Sequence, residues 1–265
     1  SRGLGDVYKR QMNVFEKHGV MHLSASTLNL WVSQPARCLM KIADKLDGSV
    51  GASAWRGTAV DKVVTRKLQN PELKHDDLTA EAERLFDLES KQSKFEQPEA
   101  KLKKERGDLG AFIKSATDYY EELGEPYESA QGKVTTMLPD VPVPFIGYYD
   151  LRLGEKVRDM KTGNAVSALT YAHARQGSIY GYALKRVPVI DYISKKGVTS
   201  FEITDVNYHI RQIQIAARSL EIALSYSDDI LECCQLVYPD LDHWMWSDSE
   251  RETAKSIWSM EATNE

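Results

Sequence analysis

Cysteine is scarce: the 265 residues hold three, Cys38, Cys233 and Cys234, the last two sequence neighbours. Three cysteines cannot form an even disulfide framework, and they fit a reducing compartment. No apolar run approaches the ~18 residues that a membrane span needs, and no charged-then-apolar leader is visible. The expected setting is therefore cytoplasmic, with no membrane partner. An excess of basic charge is missing too. Lys and Arg number 34 against 39 Asp and Glu, a net charge of −5, so the global field repels a polyanion and any such partner needs a local basic surface or bound metal. The six histidines, His18, His22, His75, His173, His209 and His243, show no zinc spacing and no Cys-x-x-Cys accompanies them. Neither a G-x-x-x-x-G-K-[ST] loop nor a G-x-S-x-G elbow occurs, which disfavours ATP-driven unwinding and serine hydrolysis within this chain.

What is present is an ordinary globular composition, 42% hydrophobic and 28% charged, which argues against a disordered or fibrous chain. A chain of this length buries roughly 70–75% of its unfolded surface. Residues 1–11, SRGLGDVYKRQ, carry no amphipathic period and read as a tag-like extension. The remainder, 12–265, reads as a single domain. Ser24–Ile42 suggests a capped helix beginning near Ser26 or Thr27, with Leu28, Trp31 and Val32 inward, and a second helix opened by Pro35. A helix with Ala59, Val63 and Val64 on one face stops at Asn70-Pro71. Residues 72–107, rich in Lys and Glu, read as a solvated helical insertion or arm. Leu109, Phe112, Ile113, Ala116, Tyr120 and Leu123 then mark one face of an amphipathic helix. From about 131 the texture changes to three strands (131–138, 145–153, 155–161), a helix (169–186), two strands (188–194, 200–206) and a long helix (207–227). A helical extension follows from about 230, with Ser247 and Glu250 forming a capping box. This order predicts an α/β fold with a mixed central sheet flanked by helices.

The chemistry concentrates in GYYDLRLGEKVRDMKTG, residues 147–163. Gly154-Glu155 suits a type II′ turn, in which Gly takes the first loop position. Facing residue numbers then sum to 309, so Asp150 opposes Asp159, and Lys161 projects from the same face. Opposed carboxylates destabilise a sheet unless a cation neutralises them. Oxygen-only donors favour a hard ion, Mg²⁺ or Mn²⁺, which also binds phosphate. With a lysine beside it, the set suits phosphodiester hydrolysis. The alternative is a solvent-facing hairpin on which Asp159 pairs with Lys161 and Asp150 with Arg152.

These residues resemble a family. Gly147-Tyr-Tyr-Asp150 followed by Asp159-Met-Lys161-Thr-Gly163 looks like the core of the PD-(D/E)xK nuclease superfamily, in its RecB-type and phage exonuclease branch. The Gln-x-x-x-Tyr helix of that branch is matched by Gln176-Gly-Ser-Ile-Tyr180, and its Arg-Gly-x-x-x-His/Glu helix by Arg56-Gly-Thr-Ala-Val-Asp61. The resemblance implies a restriction-endonuclease-like sheet and a Mg²⁺- or Mn²⁺-dependent DNA exonuclease of recombination, repair or phage DNA processing. In that reading Asp150, Asp159, the Met160 carbonyl and Asp61 hold the metal, Lys161 assists the nucleophile, and Gln176 and Tyr180 support them. Asp61 departs from the His or Glu of the pattern and is the shorter ligand. A structure-selective endonuclease and an inactive DNA-binding or assembly subunit stand as alternatives. Implied partners are linear duplex or single-stranded DNA ends, a single-strand annealing recombinase or separate helicase, and further copies of the chain. Iron–sulfur relatives need four cysteines, one before the N-terminal proline. Gln34 stands there, so no cluster is expected. Arg37, Lys41, Arg56, Arg152, Arg158 and Arg175 are candidate DNA contacts, with dispersed solubilising charge as the alternative, while Trp244, Trp246 and Trp258 read as packing aromatics, with stacking on unpaired bases as the alternative.

Overall fold

The structure is a computed structural model that describes residues 12–46, 50–93 and 97–260. The 1–11 extension lies outside the described residues. In chain order the elements are α1 (Val14–Lys17), α2 (Ala25–Ser33), α3 (Pro35–Ile42), α4 (Ala52–Gln69), α5 (His75–Gln92), α6 (Glu99–Gly107) and α7 (Leu109–Leu123). Then come β1 (Tyr127–Thr136), β2 (Phe145–Leu153), β3 (Lys156–Thr162), α8 (Tyr171–Leu184), β4 (Val187–Ser194), β5 (Gly197–Glu202), α9 (Val206–Leu224), α10 (Ile230–Cys234) and α11 (Asp248–Ile257). The sheet order is β1-β2-β3-β4-β5, with β2/β3 and β4/β5 antiparallel and β3/β4 parallel through α8. This is the mixed α/β sheet that the element order predicts. No helix among the described residues is long and apolar enough to cross a membrane.

The described residues gather into two compact units. Among them, those of 50–136 and 146–213 make up one unit, which holds nearly all of the sheet; those of 12–46, 137–145 and 214–260 make up the other. In the second unit Ser24 caps α2 by accepting from Thr27 N, and Pro35 opens α3. Leu28 and Trp31 are buried, but Val32 is 53% exposed, because the inward stripe of α2 is narrower than the sequence reading allowed. Ala36, Met40, Trp246 and Ala254 form a small core there. Trp258 Nε1 donates to the Cys234 and Val237 carbonyls, so the C-terminal aromatics Trp246 and Trp258 do pack, whereas Trp244 is exposed. The Ser247–Glu250 capping box opens α11. All three cysteines are free and buried.

The sheet-bearing unit buries a larger core built from α4, α5, α7 and one sheet face: Trp55, Val60, Val63, Phe86, Phe112 and Ile113 with Leu151, Leu153 and Met160. Here the reading of 72–107 as a solvated arm is corrected. Leu78, Ala82 and Phe86 of α5 recur every fourth residue, and all three are buried against α4 and α7. Their stripe, widened only by a partly buried Leu85, is diluted by charge, which hides the period from a composition argument. Trp55 meets Phe86 edge-to-face, with centroids 5.9 Å apart. Phe86→Ala therefore should cost about 3–5 kcal/mol of stability, read from urea unfolding; a loss within ~0.5 kcal/mol would restore the solvated-arm reading.

Candidate active site

The hairpin register is the expected one: Leu151 faces Arg158, Arg152 faces Val157 and Leu153 faces Lys156. Gly154 has φ +51° while Glu155 stays at negative φ, as type II′ requires and type I′ does not. With Leu151, Leu153 and Met160 committed to the core, strand alternation sends Asp150, Asp159 and Lys161 to the other face. Lys161 Nζ lies 2.6 Å from Asp159 Oδ2, and Asp150 Oδ2 accepts from the Met160 N–H at 2.6 Å. Met160 thus meets Asp150 through its amide.

Helix α8 closes over Asp159. Gln176 Nε2 donates to Asp159 Oδ1 at 3.0 Å and to Tyr180 Oη at 2.9 Å, so the Gln-x-x-x-Tyr spacing does place both side chains on the face that looks at β3. Two features let the helix come this near, and sequence reading missed them. Gly177 and Gly181 leave no room for a side chain: a Cβ at Gly177 would stand 2.6 Å from Ile203 Cδ1, and one at Gly181 2.7 Å from Pro188 Cγ. The Gly-x-x-x-Gly interval was the available signal. Likewise a Cβ at Gly147 would stand 2.7 Å from Tyr180 Cε1, so the glycine that opens the Gly-x-x-Asp strand makes space for the tyrosine.

Asp61 arrives from α4. Arg56 of the same helix is buried, ion-paired with Glu105, and donates to the Thr162 carbonyl at 3.2 Å. A Cβ at Gly57 would sit 3.2 Å from Thr162 Oγ1. The Arg-Gly pair therefore clamps α4 to the end of β3, one residue past Lys161. Asp61 Oδ2 accepts from Gln131 Nε2 at 2.5 Å, while its Oδ1 is buried without a hydrogen-bond partner. Gln131 takes φ +53° inside β1, a conformation costly for a non-glycine residue. No sequence signal marks it.

The electrostatics follow from crowding. Burial raises the Asp150 carboxyl well above its usual range, with the charges of Asp159 and Asp61 adding to it. Burial also lifts Asp159, against the pull of Lys161, and brings Asp61 up to about 6, with Asp159 again contributing. Burial would lower the Lys161 ammonium, but Asp159 beside it and Asp150 hold it above the ordinary lysine value. Lys161 is therefore a fixed positive charge in this state rather than a base. Burial pushes the Tyr180 phenol up, so it stays a neutral hydrogen-bonding group.

Whether these residues suit a divalent cation can be judged from their donors. Three carboxylates raised chiefly by burial, Asp150 and Asp61 also by the charge of Asp159, and one with a buried, unpartnered oxygen, supply hard-ion chemistry. They fit in kind. Among the described residues, however, no three His, Cys, Asp or Glu side chains stand gathered as a ready-made cage; Lys161 holds Asp159, Gln131 holds Asp61 and the Met160 amide holds Asp150.

Several of the candidate DNA contacts have carboxylate partners in the structure. Arg158 is 1% exposed and pairs with Asp191 and Glu125. Arg56 serves Glu105, Arg152 pairs with Glu128, and Arg37 with Glu250. Each was placed by its carboxylate partner, which a linear sequence does not show. Lys41 is exposed and Arg175 half-buried.

No family model matches the chain. No curated protein matches it. Among solved structures, the crystal structure of a protein from Eubacterium rectale that carries a provisional exonuclease designation matches over 95% of this chain and 93% of its own, at 12% identity and TM-score 0.55. The structure of SSO0001 covers 78% of this chain and 84% of its own at 13% identity, with a TM-score of 0.35, too low to support a comparison.

The raised carboxyl of Asp61 yields a pH prediction. Its folded pKa, about 6, exceeds the unfolded value of ~3.9. The associated stability is therefore full below about pH 4 and is lost as pH rises through about 6. Without divalent metal, wild type should lose about 1–3 kcal/mol relative to Asp61→Asn across that window, read from urea midpoints. Gln131→Ala should move the Asp61 titration upward and Asp159→Asn downward in carboxyl NMR; parallel stability curves and an unmoved titration would contradict the coupling. The fold, then, is one this chain shares with the Eubacterium rectale protein; in this chain Asp150 of β2 and Asp159 and Lys161 of β3 lie together under Gln176 of α8.

Proposed function

We propose that this chain is a metal-dependent DNA nuclease of the PD-(D/E)xK superfamily, RecB-type branch, hydrolysing phosphodiester bonds as an exonuclease. The observation that carries the reading is Asp159, buried and held between Lys161 and Gln176, with Asp150 on the neighbouring strand. The exonuclease-designated structure of the same fold supports it, as does the sequence resemblance.

Asp150, Asp159 and Asp61 would hold Mg²⁺ or Mn²⁺, which when bound offsets their charge and that of the phosphate and acidifies water. In hydrolysis, the oxygen of a water bonds to phosphorus and loses a proton to solvent, while the bond from phosphorus to the leaving nucleoside oxygen breaks and that oxygen takes up a proton from solvent. Lys161, kept protonated by Asp159, supplies positive charge to the phosphate oxygens as charge builds on them. Gln176 fixes Asp159, and Tyr180 fixes Gln176, so the set is oriented before substrate arrives. The linear-end substrate and the recombination, repair or phage setting come from the resemblance, as do a recombinase or helicase partner and self-association.

Incubated with Mn²⁺ or Mg²⁺, the protein should digest linear duplex DNA and spare covalently closed circles. Asp159→Ala and Lys161→Ala should each lower the rate by at least about 100-fold, and Tyr180→Phe by about tenfold through loss of the Gln176 contact. An unchanged rate in Asp159→Ala and Lys161→Ala would remove the assignment, and cleavage of closed circles would move it to an endonuclease.

A further inference from the structure

A cavity of about 600 Å³ opens in the sheet-bearing unit where the chain leaves the parallel pair β3 and β4. Its floor is the run from Thr162 to Ala165 and the turn from Ser194 to Lys196; its walls are α4 and the α6–α7 junction. Open α/β sheets place ligands outside the carboxyl ends of their strands, and the volume falls in the range of small-molecule sites. None of the carboxylates assigned above lines it.

The charge of the lining is unbalanced. Arg56, Lys104, Lys195 and Lys196 face Glu105 and Asp108, and both carboxylates are already engaged. Glu105 takes Arg56 and Ser53, and Asp108 takes Lys195 at 3.0 Å. Lys104 and Lys196 are exposed and form no ion pair among the described residues. Two further observations favour an anion. Arg56 is 7% exposed, and its Nε is buried without a partner, which leaves one guanidinium donor unspent. Asp108 precedes α7 but makes no side-chain bond to that helix, since it is turned to Lys195, so the first N–H groups of α7 carry their positive end toward this junction uncapped by it. Phe112, under Arg56 at 4.4 Å, adds an apolar wall beside the charge.

We propose that this cavity binds a nucleoside monophosphate, with the phosphate dianion against Lys104 and Lys196 and the nucleoside toward the Phe112 side. Two uncompensated ammonium groups match a phosphomonoester dianion, and the volume leaves room for the attached sugar and base. The nucleoside part rests on the nuclease reading. The end of a DNA strand presents the same phosphomonoester group.

The test uses the intact protein without divalent metal. Deoxyadenosine monophosphate should bind saturably by calorimetry, and deoxyadenosine should not. Lys104→Ala with Lys196→Ala should weaken binding at least about tenfold, and the paired Arg replacements should restore most of it. Both lysines are exposed, so the urea midpoint should stay unchanged and exclude misfolding. Asp159→Ala should retain nucleotide binding, which separates this proposal from the catalytic assignment. With that variant, a hairpin DNA bearing a terminal phosphate binding more tightly than its hydroxyl counterpart, in a lysine-dependent manner, would identify the strand end as ligand. Equal binding of the two hairpins alongside nucleotide binding would identify the free nucleotide. Absence of nucleotide binding, equal binding of deoxyadenosine, or an unaltered affinity in the double lysine variant would overturn the proposal.

Discussion

A carboxylate buried to 2% exposure on a central strand is the constraint around which the sheet-bearing unit is arranged. Asp159 could not stay charged there alone, since removing a carboxylate from water costs several kcal/mol unless it is paired. Lys161 and Gln176 supply that pairing from β3 and α8. Asp150 and Asp61 add charge of the same sign to the region, and one lysine does not balance three carboxylates. Burial raises all three carboxyls, and the charge of Asp159 adds to Asp150 and Asp61; carboxylates perturbed in this way are commoner at functional sites than elsewhere.

The other face of the same strand shows the contrast. Arg158, one residue before Asp159, meets Asp191, which also accepts from Tyr120 and Ser200. That network is fully satisfied, and it fixes β3 to β4, β5 and α7 without any group left over. Strand alternation thus separates a closed ion-pair network on the core face from an unbalanced one on the α8 face. Glycine completes the second: Gly177 and Gly181 bring α8 down on the sheet, and Gly147 leaves room for Tyr180.

The parts that could be read beforehand were those governed by local rules. The turn at Gly154, the 309 register and the alternation that groups Asp150, Asp159 and Lys161 depend on neighbouring residues alone. The i,i+4 interval likewise put Gln176 and Tyr180 together. What escaped depends on partners far along the chain. Gln131 is seventy residues from Asp61 and adopts a backbone angle that no propensity favours. Arg56 and Arg158 looked like surface cations until Glu105 and Asp191 claimed them. Helix α5 escaped because its apolar stripe, Leu78, Ala82 and Phe86, is thin among charges.

If the buried carboxylates form a metal site, a divalent cation should bind them and displace the protons that their raised pKa values retain. Calorimetric titration of Mn²⁺ near pH 6 in two buffers of different ionisation enthalpy measures both the affinity and the protons released. The account predicts saturable binding with net proton release, both largely lost in Asp150→Asn. Absence of Mn²⁺ binding, or binding that releases no protons and is indifferent to Asp150→Asn, would contradict it.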